Sequence, residues 1–128
     1  MQNNENLKNN TAILVVDDDS TVVKFMGKLL IESGYHVTTF VNSLKALNYV
    51  LTENSPIDIV VTDLIMPDID GINFIKKVRQ KNLQIPIILM SGDTDVLENI
   101  ETEKLGINKI VTKPNVIFNI VEIIRQVL

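Results

Sequence analysis

Five times along this chain a short run rich in Val and Ile gives way to a stretch whose apolar residues recur at helical spacing. Such runs, bounded by turn residues, read as strands buried on both faces of a parallel sheet. Parallel neighbours need a crossover, normally a helix, so the alternation predicts an α/β domain with helices on both faces of the sheet. The strands are expected at about 12–17, 36–41, 57–63, 85–91 and 108–112. The first helix is expected to be capped near Ser20, to carry Val22, Met26, Leu29 and Leu30 on one face, and to end at Gly34. Ser43 is expected to cap the second, with Leu44, Leu47, Val50 and Leu51, which stops before Pro56. The third, about 71–81, buries Ile72, Ile75 and Val78. The fourth, about 94–104, has a thin stripe of Val96, Leu97 and Ile100 beside Glu98, Glu101 and Glu103. The last runs from Pro114 to Leu128, with Pro suited to a first turn.

Five units of this kind imply a doubly wound sheet with five helices. The flavodoxin-like strand order 2-1-3-4-5 has its switch point between the first and third strands, and ligands bind outside the carboxyl ends of the strands there. Polar residues stand at those ends. Asp17, Asp18 and Asp19 follow the first strand, Asp63 the third, Ser91 the fourth and Lys113 the fifth.

The bulk numbers narrow the function classes. A chain of 128 residues with 45% hydrophobic and 22% charged content is expected to be one globular domain, 11–128, after a disordered tail, 1–10. It contains no cysteine, which excludes disulfides and thiolate metal sites. No apolar run reaches membrane-span length and no signal-peptide core is visible, so a cytoplasmic location without membrane contact is expected. A net charge of −4 argues against direct nucleic-acid binding.

Carboxylates at neighbouring strand ends repel one another unless a cation joins them. A hard divalent ion such as Mg²⁺ (or Mn²⁺) accepts one or two carboxylates, waters and a phosphate oxygen. Asp63 is the best-placed nucleophile, since a carboxylate can attack phosphorus to give an aspartyl-phosphate. Lys113 would balance charge on the transferred group, and Ser91 would hydrogen-bond one of its oxygens. Each residue alone has a plainer reading. The three acids complement a helix dipole, Asp63 and Ser91 are ordinary strand-end residues, and Lys113 is a surface lysine. Asp68, Asp70 and Gly71 fit turn and cap chemistry, with no catalytic role. The joint arrangement at four strand ends favours a site.

Taken together, Val16-Asp17-Asp18, Asp63-Leu64-Ile65-Met66-Pro67 with Asp70-Gly71, Ser91-Gly92 and Lys113-Pro114 resemble the receiver domain of bacterial two-component response regulators. The resemblance covers about residues 11–128. It implies that Asp63 accepts a phosphoryl group from a sensor histidine kinase or phosphotransfer protein. It also implies that Asp17, Asp18, Asp63 and the backbone carbonyl of Ile65 hold Mg²⁺. Lys113 would pair with the acceptor or the phosphoryl group, and Ser91 would move toward the new oxygens. Such a domain is not a conventional enzyme; it catalyses its own phosphorylation and dephosphorylation, and the added charge switches a protein-interaction surface.

The chain also departs from the family pattern. Ile110 stands where the family usually has an aromatic, and Asn115 where Phe often follows Lys-Pro. Ile65 and Asp93 occupy the flanking positions that influence phosphoryl lifetime. In the last helix, Val116, Ile117, Ile120, Val121, Ile123, Ile124, Val127 and Leu128 span an arc of roughly 160°. Phe118 lies outside it. Either this is a broad core face with one exposed aromatic, or Ile110 and Phe118 are exposed together. In the second case the fourth helix, fifth strand and last helix form a surface for a homodimer or an output partner. Two other functions compete: a Mg²⁺ phosphatase working through an aspartyl-phosphate, for which no segment supplies a substrate cap, and a degenerate receiver acting as a constitutive binding module. The chain is expected to be either a stand-alone receiver or an excised domain.

Overall fold

A computed structural model describes residues 10–52, 56–81, 84–92 and 102–128. The strands are β1 (Ala12–Val16), β2 (His36–Phe40), β3 (Ile59–Asp63), β4 (Ile87–Ser91) and β5 (Lys109–Thr112). Between and after them run α1 (Ser20–Glu32), α2 (Ser43–Thr52), α3 (Gly71–Lys81), α4 (Thr102–Leu105) and α5 (Asn115–Val127). Of the helix expected over 94–104, only the α4 turn falls among the described residues. Val96, Leu97, Ile100 and Asp93 lie outside them, as do tail residues 1–9.

The five strands form one sheet in the order β2-β1-β3-β4-β5, every neighbouring pair parallel, as the alternating pattern predicts. Side-chain alternation divides the core into two layers. Leu14, Val16, Val60, Ile87 and Leu89 pack with α2 and α3, burying Ala46, Leu47, Val50, Phe74, Ile75 and Val78. Ile13, Val15, Ile59, Val61, Ile88 and Met90 face the other way, onto Met26 and Leu30 of α1 and Val116, Ile120 and Ile124 of α5. Both faces of β3 and β4 are fully covered, which is why these strands read as unbroken apolar runs. No helix among the described residues is long and apolar enough to cross a membrane.

Two helix starts differ from expectation. Asp19, not Ser20, caps α1: its carboxylate accepts the amides of Thr21 and Val22. Asp19 is held for this by its own amide, which donates to Asp17 Oδ1 at 2.9 Å, so the chain turns one residue earlier than Ser20 would require. Asn42, not Ser43, caps α2, accepting the Lys45 amide on its side chain and the Ala46 amide on its carbonyl. Ser43 is already helical and buried. Gly34 does close α1 as expected, at φ 97°, with its amide donating to Ile31 O. The last helix begins at Asn115, one residue after Pro114.

Candidate functional site

Register alone brings the acids together. Val16 of β1 is paired with Thr62 of β3, so the next residues, Asp17 and Asp63, emerge side by side at the carboxyl edge. On the other side Asp63 is level with Met90, and Ser91 with Thr112, one residue before Lys113. The ladder continues past the strands: the Leu64 amide donates to Met90 O at 2.8 Å, and the Lys113 amide to Ser91 O at 2.9 Å. The backbone thereby fixes where all four strand-end side chains begin. The Lys113–Pro114 peptide is cis.

At this edge the Lys113 ammonium lies 2.6 Å from Asp17 Oδ2 and 3.2 Å from Asp63 Oδ2. Asp17 is wholly buried, and its contact with Lys113 is an ion pair whose angles fall outside hydrogen-bond geometry. Asp63 is buried as well, with Oδ1 accepting the amide of Leu64 at 2.9 Å. Asp18 is exposed. One carboxylate oxygen from each of Asp17, Asp18 and Asp63 lies within 4.8 Å of the others. Three carboxylates thus converge and one ammonium meets two of them. That leaves negative charge in excess and the Oδ2 of buried Asp17 without a geometrically good donor. A hard divalent cation with oxygen ligands fits this donor set.

The electrostatics reflect the imbalance. Burial, and then the neighbouring Asp17 charge, push the Asp63 carboxyl above its usual range, and Lys113 and the Leu64 amide only partly pull it back. For Lys113 the balance tips the other way: burial is again the largest single cause and opposes its charge, but contacts with Asp17 and Asp63 together outweigh it and raise its pKa.

The segment between β3 and α3 is tightly drawn. The Gly71 amide donates to Leu64 O at 2.7 Å, and a Cβ on Gly71 would stand 2.2 Å from Asp63 O, so only glycine fits there. Asp70 caps α3 through the Asn73 amide, and Asp68 takes a positive φ of 70°, consistent with turn and cap roles. Ile65, two residues beyond Asp63, is largely exposed, while Leu64 and Met66 on either side are buried. Ser91 is buried at the end of β4.

One of the two readings of the last helix exposes Ile110 and Phe118 together on one surface. Ile110 is half-buried and packs on the layer that holds α2 and α3, whereas α5 belongs to the opposite layer. Phe118 is exposed, as expected, but its ring meets Phe25 of α1 edge-on, with centroids 5.8 Å apart. The strand's alternation turns Ile110 away from α5, and the exposed aromatic marks the α1–α5 seam. Sequence patterning missed three tertiary features: this ring pair, the Ser43 contacts described below, and a buried guanidinium at Arg79. None has a local signal.

Comparison with known proteins agrees with the geometry. Residues 13–125 match the family model for the response regulator receiver domain. The chain is 34% identical over 105 residues to the alkaline phosphatase synthesis transcriptional regulatory protein PhoP of Bacillus subtilis, covering 82% of this chain and 43% of that protein. It is 29% identical to the response regulator receiver protein CpdR of Brucella abortus, covering 91% of this chain and 95% of CpdR. It therefore spans just under half the length of PhoP and of other transcriptional regulators it matches, but nearly all of CpdR. Among solved structures, the Francisella response regulator 1452 receiver domain superposes with a TM-score of 0.79 at 30% identity, covering 91% of this chain and 95% of that one.

Proposed function

This chain belongs to the response regulator receiver domain family, and on that premise we propose that it is a phosphoacceptor switch in which Asp63 takes a phosphoryl group from a phosphohistidine. The observation that supports this most directly is the Lys113 ammonium between the buried carboxylates of β1 and β3, with Asp18 alongside.

An Asp63 oxygen attacks phosphorus; the P–N bond to the donor imidazole breaks, its electron pair goes to the ring nitrogen, and an acyl phosphate forms. Burial raises the basicity of Asp63 and so its reactivity when ionised. Lys113 stands where it can follow the charge, from carboxylate to phosphoryl oxygen, with little movement. Ser91, two strands from β1 at the same edge, would donate its hydroxyl to a new oxygen. Mg²⁺ or Mn²⁺, held by Asp18, Asp63 and the Ile65 carbonyl with Asp17 direct or through water, would neutralise the incoming oxygens. Receiver domains interact with histidine kinases or phosphotransfer proteins, and a partner of that class is the expected donor for residues 11–128.

Incubation with acetyl phosphate and Mg²⁺, followed by intact-mass measurement, tests the reading. One phosphoryl adduct is expected, absent when Mg²⁺ is chelated and absent in Asp63→Asn. A wild-type chain that gains no adduct from acetyl phosphate or from a phosphohistidine donor would remove the proposal.

A further inference from the structure

We propose that Ser43, on α2, is a positioning residue for the metal-binding end of the acceptor loop. The proposal rests on the function given above. Ser43 is 2% exposed and is not the cap of its helix. Its hydroxyl instead reaches across to the segment between β3 and α3, donating to Pro67 O at 2.9 Å and accepting the Ile69 amide at 3.3 Å. Those two groups also bond each other, Ile69 N–H to Pro67 O at 2.9 Å, around Asp68 at φ 70°. A three-residue turn with its central residue at positive φ is the rare, strained form of the γ-turn. Ser43 Oγ therefore clips both polar ends of a strained turn.

The clip matters because of what the loop carries. From Asp63 the chain runs through Ile65 to the turn and returns to Gly71, which bonds Leu64 O. The loop is thus closed at its base by Gly71 and at its tip by Ser43, with Met66 and Ile69 buried between as apolar anchors. Ile65, whose carbonyl is the proposed backbone ligand, lies on the outgoing limb between these fixed points. With the hydroxyl removed, the turn can relax toward an ordinary backbone conformation, and the limb bearing Ile65 loses one of its supports. Groups that orient a metal ligand without touching the metal commonly matter for affinity.

The test uses the full chain and its Ser43→Ala variant, with Mg²⁺ alone as the titrant and acetyl phosphate added in a second series. In the variant, the Mg²⁺ dissociation constant and the Mg²⁺ needed for half-maximal phosphorylation should both rise about tenfold. The rate at saturating Mg²⁺ should stay at the wild-type value, and amide exchange at Ile69 should quicken. Unchanged Mg²⁺ dependence overturns the proposal. So does a saturating rate that falls with the affinity, because that would indicate damage to the fold rather than a misplaced ligand. A wild-type chain that neither binds Mg²⁺ nor takes up phosphoryl fails earlier, at the parent function, and carries this proposal down with it.

Discussion

The molecule buries charge at both ends of its sheet, in opposite ways. At the amino end of β4 and β5, the Arg79 guanidinium of α3 is almost fully enclosed. Nε donates to Leu105 O at 2.8 Å, Nη2 to Gly106 O at 2.8 Å and Nη1 to Ile85 O at 2.5 Å. These carbonyls end α4 and lead into β4, so one cation ties three segments together through fixed acceptors. At the carboxyl end, Asp17 and Asp63 share Lys113, with Asp18 adding a third negative charge. The first cluster is complete within the protein. The second is short of positive charge, and that shortage is what a divalent cation can answer. Buried charge of itself signals neither stability nor function; what separates the two ends is whether the protein's own groups satisfy it.

The contrast predicts unequal costs. Arg79→Met keeps much of the apolar stem but leaves three backbone carbonyls without their donor. It should lower unfolding free energy by about 3 kcal/mol while leaving Mg²⁺ affinity unchanged. Urea denaturation of folded variant and parent measures the first, and titration calorimetry the second. A small stability loss would mean water readily replaces the guanidinium, and the two ends would no longer differ in kind.

Lys113→Met should cost less, about 2 kcal/mol without metal, because the Lys113 side chain is part-exposed and water can reach the carboxylates it leaves behind. Lys113 has its pKa raised in the fold, so its stabilising contribution is fully present below the ordinary lysine value. The contribution is lost as pH rises through the higher folded value. The gap between parent and variant should therefore be flat across neutral pH and narrow only in strong alkali. A gap already closing near neutrality would place the proton on the carboxylates instead.

The strand-end placement was legible because strand periodicity and parallel order together determine which residues share an edge. Asp17, Asp63, Ser91 and Lys113 needed only correct strand limits, and register brings them to one edge. The same logic failed at Ser20 and Ser43, where two candidate cap residues stood side by side and hydrogen-bond geometry chose Asp19 and Asn42. At Ile110 it left two readings open, since strand position does not say which face a half-buried side chain takes until the neighbouring helices are placed. Arg79 and Ser43 were opaque for a related reason. Apart from Ile85 O, six residues from Arg79, the partners described lie 24 to 27 residues away at Pro67, Ile69, Leu105 and Gly106, and all but the Ile69 amide are backbone carbonyls, which carry no sequence signature.

The smallest effect is the sharpest test of the comparison, because its sign is at stake. Asp63 has a raised pKa, with burial the first cause and Asp17 the second. A carboxyl of that kind favours the fold while protonated. This contribution is present below the unfolded value and disappears as pH rises through the folded one, so at neutral pH the ionised group is a net cost. Asp63→Asn removes the charge and keeps an oxygen for the Leu64 amide. The variant should therefore be more stable than the parent by about 1 kcal/mol at neutral pH without divalent ions, as expected where activity holds a site away from its stability optimum. The advantage should shrink as pH falls into the range where Asp63 takes up its proton. Added Mg²⁺ should also reduce it, by stabilising the parent more. Thermal unfolding across pH, with and without Mg²⁺, gives all three readings. If the variant is instead less stable at neutral pH without metal, then Lys113 already balances Asp63, and the carboxyl edge is as self-sufficient as the Arg79 cluster at the other end of the sheet.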